Sequence, residues 1–309
     1  MKRLLPVVLV LLVSGCVQTG GETKITGAGL AVVDFSSSVE DVEGMGKTVR
    51  ISMEVENQGG YTTGDVLACL IGSNFPGKIS EQMWSSESPV CQSAKRELYA
   101  ADPETGAPGG TARFRWILKS PWIPYPQERT DEFVGRIFYR YKSQATAKVW
   151  VYSEEELRAA KQRGETFSET LETVATPGPV EISLSAKQPI RADDGYFTLT
   201  VTLTNSGGGT VFDSKNFDFS SETPPKVSEL NVINLRFDYP ESSLQDEGCD
   251  DIVELRRGET RTISCGFTIK NPETITLKTS FPITVTADYG YYTDSRLEIT
   301  VRGKKGETP

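Results

Sequence analysis

Apolar and polar residues alternate with a period of two along most of this chain, the signature of strands with one buried face. Residues 49–60, VRISMEVENQGG, carry Val49, Ile51, Met53 and Val55 on one face. Residues 197–208, FTLTVTLTNSGG, carry Phe197, Leu199, Val201 and Leu203 in the same way. Both stretches break at Asn-x-Gly-Gly, and they lie 148 residues apart. Further on, Phe133, Tyr141, Val149 and Val151 match Phe281, Tyr289, Leu297 and Ile299 at that same offset. Two separated stretches that share one offset predict a duplicated domain, and 309 residues suit two domains of ordinary size.

The first copy spans 30–152. Its strands are expected at 30–35, 49–56, 66–71 and 112–118, with a final pair at 133–141 and 147–152. Across 72–110 the alternation dissolves into Gly, Pro, Ser and charge around Phe75, Met83, Trp84 and Cys91, which predicts a functional or disulfide-pinned insertion. Residues 120–127, SPWIPYPQ, hold three prolines and must be a loop. The second copy spans 180–303, with strands at 180–186, 197–204, 211–219, 232–237, 252–255 and 262–269, and a final pair at 281–287 and 297–301. Between the copies, 153–179 is a linker with one helical signal. Ser153 can cap it, Glu154, Glu155 and Glu156 fill its first turn, and Arg158, Lys161 and Arg163 suit its C-terminal end. Leu157, Ala159 and Ala160 are too little apolar surface for a core helix, so a solvated one is expected. Residues 304–309 read as a disordered tail. With about seven short strands per copy and no βαβ spacing, the fold class is all-β: two tandem antiparallel β-sandwiches joined by a short helical linker.

The N-terminus is a separate object. Lys2 and Arg3 precede an apolar run, residues 4–13, far shorter than the ~20 residues of a membrane span, and Val13-Ser14-Gly15-Cys16 follows. This order resembles the lipobox of prokaryotic lipoproteins. The resemblance implies a signal peptide over 1–15, acylation of Cys16, and a protein anchored in the cell membrane on its extracytoplasmic face. Residues 16–29, rich in Gly and Thr, then form a flexible tether.

Composition narrows the chemistry. The four remaining cysteines, Cys69, Cys91, Cys249 and Cys265, fall two to a copy, as an oxidising compartment allows. If each copy stabilises itself, Cys69 pairs with Cys91 and Cys249 with Cys265, closing loops of 22 and 16 residues worth about 3 kcal/mol each. The chain has no histidine, which removes His-ligated metals, haem and every hydrolase that uses a His base. No cofactor is implied. The net charge of −9, made more negative once Lys2 and Arg3 are cleaved away, disfavours nucleic acid.

Leu255-Arg-Arg-Gly258-Glu259-Thr260, the strand ending Ile269-Lys270-Asn271-Pro272, and the Asn-x-Gly-Gly after the second strand resemble the Ig-like modules of the CARDB type, which occur in tandem on bacterial and archaeal surfaces. The first copy echoes this less fully, with Pro108-Gly109-Gly110-Thr111 at the turn and Trp116 in the following strand. The resemblance implies Ig-like sandwiches. The acidic, Asn-rich hairpin near the end of such modules is missing, replaced by YKSQAT (141–146) and YGYYTD (289–294), so no ligand role carries over to it.

Candidate contacts are the large aromatics in irregular segments, Trp84, Trp122 and Tyr125, which can anchor a protein partner or stack on a glycan. The bland alternative makes them plugs over a sandwich end. The acidic turns Asp193-Asp194, Asp246-Glu247 and Asp250-Asp251 have no calcium-loop spacing, and no metal site is assigned. Tyr141 and Tyr289 suit structural corners whose hydroxyls bond backbone. The expected function is a lipid-anchored, surface-exposed Ig-like protein with a binding, adhesion or envelope-scaffold role and no enzymatic activity. The alternative is a carbohydrate-active or other hydrolytic lipoprotein using carboxylates of the 72–110 insertion.

Overall fold

A computed structural model describes residues 27, 29–72, 74–75, 82–102, 105–168, 171–221 and 223–308; Cys16 and the signal peptide expected over 1–15 lie outside them. The described chain is mostly antiparallel strand. One four-stranded sheet has the order β1 (Leu30–Ser37), β3 (Thr48–Asn57), β7 (Thr111–Lys119), β5 (Ser85–Ser86). A second has the order β10 (Val180–Ala186), β12 (Tyr196–Asn205), β17 (Thr260–Ile269), β15 (Leu244–Glu247). A ten-stranded sheet runs β16 (Ile252–Glu254), β14 (Val232–Asp238), β18 (Lys278–Arg302), β8 (Glu128–Tyr152), β4 (Val66–Gly72), β6 (Cys91–Ser93), with β2 (Asp41–Glu43) and β13 (Thr210–Phe212) beside β18 and β9 (Thr173–Ala175) and β11 (Ile190–Arg191) beside β8.

The two halves repeat one topology, as the shared offset predicts. The short strands correspond as well: β2 runs parallel to the end of β18, and β11 runs parallel to the end of β8. The Asn-x-Gly-Gly motif does the same work twice. Asn57 Nδ2 donates to the carbonyl of Tyr61, four residues on, and to Leu98 O, at 2.8 and 2.9 Å; Asn205 Nδ2 donates to Gly209 O, again four residues on, and to Gly258 O, both at 2.9 Å. The glycine two residues after Asn57 admits a tyrosine: a Cβ on Gly59 would stand 2.0 Å from the Tyr141 hydroxyl.

The main departure from expectation is at the end of each half. Neither 133–141 with 147–152 nor 281–287 with 297–301 forms a pair of strands. Each is one unbroken strand of 25 residues, β8 and β18, far beyond the usual 3 to 10. They pair antiparallel along their whole length, from Lys278↔Tyr152 to Arg302↔Glu128, with Tyr141 opposite Tyr289 at the middle. At roughly 3.3 Å per residue each spans about 80 Å. The physical reason is that YKSQAT and YGYYTD hold no proline and no Asn-Gly or Asp-Gly hairpin pair, and the one glycine, Gly290, is kept in the strand. Gly290 has no left-handed φ, and a Cβ there would meet the Phe212 ring at 2.2 Å. The N-terminal part of β8 thus lies between β4 and the C-terminal part of β18, while the N-terminal part of β18 lies between β14 and the C-terminal part of β8. One continuous apolar core runs from Leu30 to Val301.

Where the long strands cross their midpoint, four buried tyrosines form a closed ring. Ring centroids are 6.1 Å apart for Tyr139 and Tyr141, 6.1 Å for Tyr141 and Tyr289, 6.3 Å for Tyr289 and Tyr291, and 5.7 Å for Tyr291 and Tyr139. Each hydroxyl is satisfied, as burial demands. Tyr141 donates to Pro177 O and accepts from Tyr61 N; Tyr289 accepts from Val180 N and pairs with Ser143 Oγ. Tyr291 donates to Asn205 Oδ1 and accepts from Gly209 N, and Tyr139 bonds the backbone of Leu30. The corner role read for Tyr141 and Tyr289 is therefore shared by four residues.

Three smaller expectations change. The helix α1, Glu154–Gln162, is capped by Ser153 as expected, but it buries Leu157 and Ala160 and is tied to the second half where Ser153 Oγ donates to Thr276 O at 3.0 Å. The strand expected over 211–219 stops at Phe212. The chain then loops so that Phe217 and Phe219 pack with Phe138, Phe212 and Tyr292 on the outer face of the large sheet. Residues 304–308 are docked, with Glu307 accepting from Met45 N at 2.8 Å and from Trp122 Nε1 through its carbonyl at 3.3 Å.

Burial raises the pKa of the ring: Tyr141 and Tyr291 are pushed up to about 12, and Tyr139 and Tyr289 well above the ordinary value. An unfolded tyrosine ionises near 10, so the stabilisation is complete below about pH 9 and is lost as pH climbs from there through the raised folded values. Thermal melts should be flat up to about pH 9 and fall steeply above pH 10, with tyrosinate absorbance of the four rings appearing only on unfolding. Ionisation of all 11 tyrosines before any loss of structure would contradict the buried ring.

Candidate functional site

The disulfides Cys69–Cys91 and Cys249–Cys265 form as the sequence predicts. The first joins neighbouring strands β4 and β6 and pins the 72–110 insertion to the large sheet. The three aromatic candidates do not converge. Trp84 is fully buried, packed edge-on against Phe133 at 5.4 Å, and its Nε1 donates to Asp131 Oδ2 at 2.8 Å. Asp131 is itself buried and also accepts from Asn74 at 2.6 Å and pairs with Arg129 at 2.9 Å. Trp84 is a plug, not an exposed anchor, because the insertion folds back over the core. Trp122 is half-buried under residue 307, and Tyr125 alone stands exposed, at 59%. Among the described residues no three His, Cys, Asp or Glu side chains converge as a metal-ligand set, and Asp193 is held by Arg191.

The concave feature the sequence does not announce lies on the outer face of the long ladder, beside the tyrosine ring. Odd-numbered residues of β8 and β18 face the core there, so their even-numbered neighbours face out. Three adjacent strands then present two rows. In one, Lys142 is opposite Asp288, which is opposite Asn234; in the other, Gln144 is opposite Thr286, which is opposite Arg236. Tyr61, Thr176 and Lys215 raise the rim around a cleft of 560 Å³, within the usual range for small-molecule sites. Asp288 is already occupied, accepting from Ser214 Oγ at 2.9 Å and pairing with Lys142 at 3.3 Å. Lys215 pairs with no carboxylate among the described residues, and Thr286 Oγ1 is buried without a partner. This grid holds hydrogen-bond donors and acceptors and positive charge, an arrangement suited to holding a polar ligand.

The same place in the other half is filled. The cross-strand pair Lys142–Asp288 corresponds by the 148-residue offset to Gly290–Arg140, and Gln144–Thr286 corresponds to Tyr292–Phe138. There the Phe212 ring packs on Phe138 and Tyr292 and the Phe217 ring on Phe138, with Phe219 against Phe212 and Phe217. The fold therefore accommodates either a plug or a cleft at this position, aromatic where it is plugged and polar where it is open. The signal available in sequence was the replacement of Gly290, Tyr292 and Phe138 by Lys142, Gln144 and Thr286 at duplicated positions.

Trp84→Ala should destabilise the protein by about 3 to 5 kcal/mol through the cavity it leaves, whereas Tyr125→Ala should stay within about 0.5 kcal/mol. Urea unfolding curves of the two variants check this. Equal, small effects would place Trp84 outside the core.

No protein-family model and no curated protein matches the sequence. Among solved structures, the chain is similar to Escherichia coli alpha-2-macroglobulin activated by porcine elastase, at 11% identity and a TM-score of 0.21, over 89% of this chain and 22% of that one. The chain spans about a fifth of the length of that protein, and a likeness at this score carries no argument about fold or function.

Proposed function

We propose that this chain is a lipid-anchored, surface-exposed protein of two Ig-like β-sandwiches, 30–152 and 180–303, with a binding, adhesion or envelope-scaffold role. Cys16 ties it to the membrane on the extracytoplasmic face, and its partner there is a protein or a glycan, not nucleic acid. In this reading each sandwich pairs a four-stranded sheet with one half of the ten-stranded sheet, and the last strand of each half, 143–152 or 291–302, completes the opposite sandwich. What supports the Ig-like assignment is the order β1-β3-β7-β5 and its repeat β10-β12-β17-β15, each with a short strand parallel to the end of the exchanged strand.

The observation that carries the binding role is the cleft on the shared sheet. It sits on the most continuously hydrogen-bonded element of the molecule, so its side chains are held on a rigid platform. Its lining residues, Lys, Arg, Gln, Asn, Thr and Asp, recognise a ligand by hydrogen bonds and charge. Two disulfides in a chain without histidine suit the oxidising side of a membrane.

The anchoring is tested on the membrane fraction of the producing cell. Intact-mass analysis should find the chain beginning at Cys16 with a lipid adduct, and Cys16→Ala should be released or remain unprocessed. A soluble, secreted chain with an unmodified Cys16 would refute the anchor.

A further inference from the structure

We infer that the cleft between β8, β18 and β14 is a site for an acidic sugar, a ring bearing both hydroxyls and a carboxylate. This rests on the binding role proposed above and names its ligand class. The first argument is charge. Three cations from three different elements line the cleft: Lys142 from β8, Arg236 from β14, and Lys215 from the loop after β13. One carboxylate lines it, Asp288, and its two oxygens are taken by Ser214 and Lys142. Two further acids stand nearby and are also engaged. Asp213 accepts from Asn234 Nδ2, Asn216 Nδ2 and Lys215 N, at 2.9, 2.8 and 3.0 Å, and Asp238 pairs with Arg236 at 3.0 Å on the exposed edge of β14. The ammonium of Lys215 is left to a ligand. Lys142 and Arg236 are thus paired with Asp288 and Asp238, and Lys215 is the cation of the cleft that a ligand carboxylate would meet.

The second argument is the floor. Thr286 Oγ1 is buried and makes no hydrogen bond within the protein, and Gln144 stands directly opposite it on β8. A buried hydroxyl without a partner is a cost that a ligand hydroxyl removes. The duplicated place on the other half is closed by aromatic rings, so the polar floor is not a requirement of the fold. A volume of 560 Å³ gives room for roughly one or two sugar rings. Tyr61 at the rim, with Lys142 Nζ 6.0 Å from its ring centre, adds an aromatic wall. A bare anion would use Lys215 and leave the floor unsatisfied; a neutral sugar would use the floor and leave Lys215 idle. A sugar acid uses both.

The test is titration of the purified full-length mature protein by calorimetry with glucuronate, with a glucuronate-containing disaccharide, with glucose and with inorganic phosphate. Glucuronate should bind, glucose and phosphate each at least roughly tenfold more weakly, and Lys215→Gln should weaken glucuronate roughly ten- to a hundredfold, the range of a charge-assisted hydrogen bond. Thr286→Val, which removes the floor hydroxyl, should narrow the gap between glucuronate and phosphate. Lys215 is exposed, so its variant should keep the wild-type melting temperature and remain interpretable. No binding of glucuronate, glucose or phosphate binding as tightly as glucuronate, or full affinity in a folded Lys215→Gln would each overturn the assignment. Because the anchor is read by mass at Cys16, a failed titration of a lipid-bearing protein removes the ligand class and leaves the anchoring reading standing.

Discussion

Everything in this molecule depends on the uninterrupted antiparallel ladder between β8 and β18. Tight two-residue hairpins favour a residue with positive φ, as in Asn-Gly or Asp-Gly. At Lys142 to Thr146 and Gly290 to Asp294 the chain supplies no such pair, and its inward positions are Ser143, Ala145, Tyr291 and Thr293. Both strands therefore run on, and each finds its hydrogen-bond partner in the other half. The buried face of that ladder fuses two cores into one, and the tyrosine ring closes its midpoint with hydroxyls that bind the loops entering both halves.

The rest follows from where the ladder leaves its outer face uncovered. On one side of the midpoint, the loop after β13 lays Phe217 on Phe138 and Phe219 on Phe212 and Phe217, with the Cys69–Cys91 bridge beside them. On the other, the same loop brings Lys215 and Ser214 to the edge of Lys142, Asp288 and Arg236. One loop thus makes the plug of one half and the rim of the cleft in the other. The described part of the insertion 72–110 contributes to the core instead: its Trp84 and the buried Asp131 make a polar pin at the end of the core.

Period-two alternation placed the duplicated strands to within a residue of β3 and β12, and the shared offset revealed the repeated topology. The cysteine pairs were legible from their distribution, though not because each half closes on itself. Strand exchange was not legible as such. The absence of a proline or an Asn-Gly or Asp-Gly pair from YKSQAT and YGYYTD was visible, but alternation cannot say which partner a strand takes, since inward and outward faces are the same in either pairing. The aromatic candidates misled because loop sequence does not show whether a Trp points out or in; the indole N–H of Trp84 finds its acceptor 47 residues away in sequence. The cleft was hidden for a related reason. Its residues come from β8, β14, β18 and three loops, and only the strand register brings Lys142, Thr286 and Arg236 into adjacent rows.

The shared ladder is tested most directly by a distance within β8 itself. Glu132 and Lys148 are both exposed and face outward, so spin labels there leave the core untouched. In one unbroken strand they stand roughly 50 Å apart, at about 3.3 Å per residue with allowance for twist. A pulsed electron-resonance measurement on the full chain should give a single distribution near that value. A distance of about 25 Å would contradict the account and mean that each half closes on its own, because a hairpin folded within 141–146 would set Lys148 beside residue 139, about seven residues or roughly 23 Å along the strand from Glu132.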